Sequence, residues 1–134
     1  MTTHATITVE IRSWDEAPYF EDEDGSGAKL TRATVAQGFA GDLEGEGTME
    51  FLMAYRPDGS AGFIGQQRIE GALAGRPGAF IIHATGAYEG SEARSTFTVV
   101  DGSGTGGLAG LRGGGTAVAG QDMSVAMAFD YDLG

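Results

Sequence analysis

Cysteine is missing from the whole 134-residue chain. That removes disulfides, thiolate nucleophiles and cysteine metal sites, and it fits a reducing cytoplasm. Asparagine is missing too, and Lys29 is the one lysine. Avoidance of AT-rich codons on this scale points to a GC-rich bacterial genome. Positive charge is scarce: 8 Lys and Arg stand against 19 Asp and Glu, a formal charge of −11. Such a chain repels phosphate backbones and anionic membranes, so neither nucleic acid nor a membrane is an expected partner. No apolar run approaches membrane-spanning length. The opening MTTHATITVE has neither a basic start nor an apolar core, so no signal peptide is expected. Helix signals are sparse, whereas glycine is abundant at 24 residues. The length suits one domain, residues 1–134, with a real core.

What is present is strand alternation. The stretch GDLEGEGTMEFLMAYRPDGSAGFIGQQRIEG, from Gly41 to Gly71, predicts a hairpin. Arg56-Pro57-Asp58-Gly59 suits a type I turn, because proline presets φ and glycine accepts the left-handed conformation that follows. Such a three-residue loop with a bulge pairs Arg56 with Ser60. Counting outward, Tyr55 faces Ala61, Met53 faces Phe63, Phe51 faces Gly65, and Met49 faces Gln67. These share one face, since side chains alternate along a strand. That face is apolar apart from Gln67, and the other is mostly polar, as in an antiparallel sheet covering a core. A one-residue slip would move Phe51 and Met53 into the polar set, so the pattern defends its register.

The remaining chain follows the same rule. Ala5, Ile7, Val9 and Ile11 alternate with polar residues in a strand over Thr6–Trp14. Asp15–Ala28, broken by Pro18, Gly25 and Gly27, is expected to be an acidic loop. Lys29–Phe39, Ala79–Tyr88, Glu92–Val100, Thr116–Ala119 and Ser124–Leu133 complete the strands, with loops at Gly41-Asp42 and Ala74–Gly78. Around Glu89-Gly90-Ser91 two registers are open. A three-residue loop pairs His83 with Phe97, and a two-residue loop gives Ala84 that place. Asp101–Gly115 is a glycine-rich crossing. About seven or eight short strands without a helix mean a sandwich or a barrel.

Several segments together carry a resemblance. LTRATV, GDLEGEGTMEFLMAYRPDGSAGFIG, GRPGAFII, VVDGSGTGGLAGLRGGG and FDYDL are similar to a family of small uncharacterised bacterial domains. Its barrel is of the allene oxide cyclase type, related in shape to dirigent proteins and calycins. The resemblance spans nearly the whole chain and implies an all-β fold, an eight-stranded antiparallel barrel with a small internal cavity. It implies no agreed activity. Relatives on the fold include cyclases and isomerases of unsaturated lipids or polyketides, and they are usually oligomers. The family pattern tends to an acid at Gln67 and a histidine at Ala84. This chain has neither, which puts any acid–base role of those positions in doubt.

The candidate site follows from the hairpin. Gln67 breaks an apolar face and is the candidate ligand anchor, unless a neighbouring strand or water satisfies it. Tyr55, Phe51, Phe63, Met53 and Met49 would line a cavity or simply fill the core. His83 acts as an acid or base only if it faces inward, and His4 is expected in solvent. Arg32 is either an inward anion partner or a surface charge. Asp22, Asp24, Ser26 and Gly27 imitate the opening of a calcium loop, but Ala33 stands where the bidentate glutamate belongs. Gly102, Gly104 and Gly107 match a dinucleotide fingerprint as text, without the helix it needs. No metal or cofactor is expected. Leu52, Ile64, Ala126 and Ala128 form a bare outer patch that would suit a contact between copies.

Three functions are compatible with this pattern. The first is a cytoplasmic barrel binding a small apolar or amphipathic molecule. The second is a cyclase or isomerase that folds an unsaturated substrate into a reactive shape. The third is a structural or interaction module with a filled barrel, favoured if the inner volume falls well below about 300 Å³.

Overall fold

The computed structural model describes residues 2–23, 25–120 and 124–133. Eight strands follow in chain order: β1 Thr3–Glu21, β2 Lys29–Gly41, β3 Leu43–Tyr55, β4 Ala61–Leu73, β5 Arg76–Glu89, β6 Glu92–Val99, β7 Arg112–Ala119 and β8 Ser124–Asp132. Each pairs antiparallel with the next, and β1 pairs with β8, so the sheet closes into a barrel. Closure removes the free edges that an open sheet exposes.

The expected hairpin register is found residue for residue. Tyr55 opposes Ala61, Met53 opposes Phe63, Phe51 opposes Gly65 and Met49 opposes Gln67. Arg56 and Ser60 close the turn with a 2.8 Å backbone hydrogen bond. Between β5 and β6 the two-residue loop is the one present. Glu89 opposes Glu92, and Ala84 opposes Phe97. His83 therefore faces outward, exposed, with Nε2 3.0 Å from Oε1 of Gln66. It has no place among residues inside the barrel.

The acidic loop proves shorter than expected. β1 continues through Pro18 to Glu21. Proline is tolerated because, among the described residues, β8 pairs with β1 no further than Glu10 and the upper part of β1 pairs with β2 alone. Register shifts between Ile11 and Ser13 and between Pro18 and Phe20 bend the strand. The first shift changes the facing phase from Ile11 to Trp14 and Glu16. Asp24, part of the calcium-like run, lies outside the described residues. Among the described residues no cluster of three or more His, Asp or Glu side chains could hold a metal ion. No described helix is long and apolar enough to cross a membrane.

One end of the barrel is packed solid. Leu43, Leu73, Ile69, Phe80 and Phe129 are buried there, and a short 3₁₀ turn at Gly106–Leu108 brings in Leu108, followed by Leu111. The crossing that carries this turn lies along the edge of β5 beyond the end of β6. The Ser103 hydroxyl accepts from the Ile81 amide at 3.0 Å, and that of Thr105 accepts from the Ala79 amide at 3.1 Å. The Phe129 ring lies 6.1 Å from Phe80, 5.5 Å from Phe97 and 5.3 Å from Tyr131.

On the outer wall, Arg32 is exposed and pairs with Glu50 at 3.1 Å. His4 is exposed as well and bonds Asp130 at 2.7 Å. Leu52 and Ile64 oppose each other, 45% and 54% exposed. Ala126 and Ala128 lie on β8, separated from Leu52 on β3 by β1 and β2 one way round the barrel and from Ile64 on β4 by β5, β6 and β7 the other way. The four residues thus form two separate places rather than one patch.

Phe129→Ala should remove the centre of the packed end and lower stability by about 3–5 kcal/mol, read from urea unfolding.

Candidate functional site

The other half of the barrel is not filled. Several inward positions on β5, β6 and β7 are small: Ala84, Ala93, Ser95, Ala117 and Ala119. Across from them stand Met49, Phe51, Met53 and Phe63 on β3 and β4. Large residues on one side do not compensate fully for small ones on the other. A cavity of about 130 Å³ remains, bounded also by Val9, Ile11, Phe39, Ile82, Phe97, Val125 and Met127.

Glycines set the aromatic positions. A Cβ at Gly65 would lie 2.8 Å from Cδ1 of Phe51, and one at Gly86 would lie 2.7 Å from Cζ of Phe63. Each ring occupies the space above the glycine opposite it on the neighbouring strand. Phe51 and Phe63 then meet edge to face at 5.2 Å, and Trp14 stacks on Phe51 at 6.0 Å.

Two buried amides interrupt the apolar lining. Gln67 is 2% exposed and Gln37 is 9% exposed. Nε2 of Gln67 donates to Oε1 of Gln37 at 2.7 Å. They meet above Gly47, which pairs with Gln37 and has no side chain to separate them. The Gln67 carbonyl oxygen and the Gln37 amide nitrogen have no further protein partner among the described residues. Neither atom is sealed into the protein wall, so both are left to the cavity.

A carboxylate organises the mouth. One oxygen of Glu16 accepts from the Thr31 hydroxyl at 2.6 Å and from the Tyr55 hydroxyl at 2.7 Å. The other accepts from the Trp14 indole N–H at 2.9 Å. Partial burial pushes the Glu16 pKa up. Hydrogen bonds from Thr31, Tyr55 and Trp14, with the Lys29 charge, outweigh that and leave it below the ordinary value. Burial, then the bond to the Glu16 anion, raises the Tyr55 pKa well above its usual range. The Lys29 ammonium sits 4.9 Å over the Tyr55 ring. Glu16 is therefore a fixed anion that holds Trp14 in place, and Tyr55 is a neutral donor.

Of the sequence candidates, Gln67, Phe51, Phe63, Met53 and Met49 come together on the cavity wall. Tyr55 stands outside the wall, in the Glu16 cluster, and His83 faces solvent. Sequence reasoning missed Gln37, although it alternates with Val35 and Phe39 and so carried a period-two signal. It missed Trp14 and Glu16 because the shift after Ile11 reverses the alternation and Pro18 resembles a break.

Because the fold depresses the Glu16 pKa, its contribution is fully present above the ordinary value of 4.5. It is lost as pH falls below that value through the lowered folded one. The emission of Trp14 should change over that acid range in the native chain and lose this transition in Glu16→Gln, as followed by fluorescence against pH.

No curated protein matches the chain. A crystal structure of a protein of unknown function from the DUF3224 family of Shewanella oneidensis MR-1 is similar throughout. It is 27% identical, superposes with a TM-score of 0.77, and the match covers 98% of each chain. Residues 5–131 match the family described as protein of unknown function, DUF3224. A match over almost the full length, on the same closed barrel, places this chain in the DUF3224 family.

Proposed function

We propose that the barrel holds a small apolar or amphipathic molecule of about one ring in size, anchored at Gln67. The supporting observation is an apolar cavity of about 130 Å³ with amide atoms left unpaired at its wall. An engineered apolar cavity of about 150 Å³ takes benzene, so this volume is of the right order. Phe51, Phe63, Met53 and Met49 would be its walls, with the thioethers adapting to its shape. Tyr55 would act indirectly, by holding Glu16 and through it Trp14. His83 has no part.

The volume also supports a second reading. It is well under the roughly 300 Å³ at which ligand pockets usually begin. A filled barrel acting as a structural or interaction module is favoured by that number, and the unpaired amides favour an occupant. A cyclase or isomerase of the allene oxide cyclase kind would have to fold a lipid- or polyketide-like chain inside the barrel. A space of about 130 Å³ holds only a small part of one.

Ala84→Leu separates the first two. Ala84 faces the cavity opposite Phe97 and is buried. In a barrel with a usable void, the leucine fills it: the native chain binds toluene by calorimetry, the variant does not, and Tm stays level or rises. In a filled barrel, the native chain ignores toluene and overpacking lowers stability by about 1–3 kcal/mol.

A further inference from the structure

We infer that the occupant of the barrel is electrically neutral and presents a hydrogen-bond donor beside an acceptor, as a primary amide or a lactam does, with the Gln67–Gln37 pair as the element that recognises it. This rests on the ligand-binding reading above and adds the chemical class. The single bond between the two side chains uses one N–H of Gln67 and one lone pair on the Gln37 oxygen. It leaves a carbonyl oxygen on Gln67, one N–H beside it, and the amide hydrogens of Gln37. Turning both amides over leaves the same complement, an acceptor next to donors. Both residues are more than nine-tenths buried and their spare atoms open onto the cavity, so whatever occupies the cavity has to satisfy them. A group carrying both a donor and an acceptor completes the set. A hydrocarbon leaves it open, and a carbonyl alone completes only half.

Charge narrows the class further. Among the described residues lining the cavity there is no lysine, arginine or histidine. A carboxylate head would be stripped of water with no cation to answer it. The Glu16 anion beside Trp14 and the formal charge of −11 act in the same direction. Lys29, the one cation of the mouth cluster, is engaged over the Tyr55 ring and is not part of the wall. Free fatty acids and aromatic acids are therefore disfavoured, and neutral amides of similar shape are preferred.

The chain carries its own reporter, since Trp14 is its one tryptophan and borders the cavity. The full-length protein is titrated at neutral pH with benzamide, benzoate and toluene. Trp14 emission and the methyl resonances of Met49 and Met53 are followed together. Benzamide should bind at least about tenfold more tightly than benzoate or toluene, the factor expected of one net hydrogen bond. Gln67→Leu should bring benzamide down to the level of toluene and leave toluene unchanged. If that variant does not fold, Gln37→Leu bears the same expectation, and the ranking in the native chain decides by itself. Benzoate binding as well as benzamide, or toluene binding as well as benzamide, overturns the neutral donor–acceptor head and leaves the cavity reading standing. Silence of both readouts towards all three probes overturns the two together.

Discussion

The closed barrel and its cavity depend on the pairing of β1 with β8 over Thr3–Glu10. That ladder turns a seven-step meander into a closed wall. Without it the inner face would be one side of an open sheet, and Gln67 would have solvent instead of a cavity. Among the described residues that ladder reaches Glu10, and beyond it β1 rises beside β2 alone. The projecting ribbon carries Trp14 and Glu16 to the mouth. The same strand thus seals the barrel along its lower part and furnishes the rim with its upper part.

The two halves of the interior differ for a simple steric reason. At the packed end, large side chains converge from both sides, Leu43, Leu73 and Ile69 meeting Phe80 and Phe129, while the crossing supplies Leu108 and Leu111. At the other end, β5, β6 and β7 offer alanine and serine to Met49, Met53, Phe51 and Phe63. Interiors are usually close-packed, so such a void is a departure that calls for a cause. The buried amides sit at the boundary between the halves, where Gly47 clears a space.

The mouth is tied together by hydrogen bonds to one carboxylate. A carboxylate that accepts three side-chain hydrogen bonds keeps its charge and fixes its donors. Trp14, although 44% exposed, is held by its indole N–H and stacked on Phe51. Phe51 in turn is seated above Gly65, so the rim is tied to the wall of the cavity. The chemistry of the interior is complementary: it has donors and acceptors but no acid, base or metal cluster among the described residues.

Alternation and turn chemistry in the sequence were enough to determine the all-β class, the β3–β4 register and the inward set from Met49 to Gln67. Period two is a local property, and a proline–aspartate–glycine turn fixes its phase. Tertiary structure alone decided the rest. The loop between β5 and β6 was readable in two ways, and the ladders with β4 and β6 turned His83 outward and Ala84 inward. Trp14 and Glu16 joined the site through a register shift, which local patterning records as a break. The meeting of Gln67 with Gln37, from strands on either side of β3, and the volume left beside them depend on every strand of the closed wall at once, and no single segment holds that information.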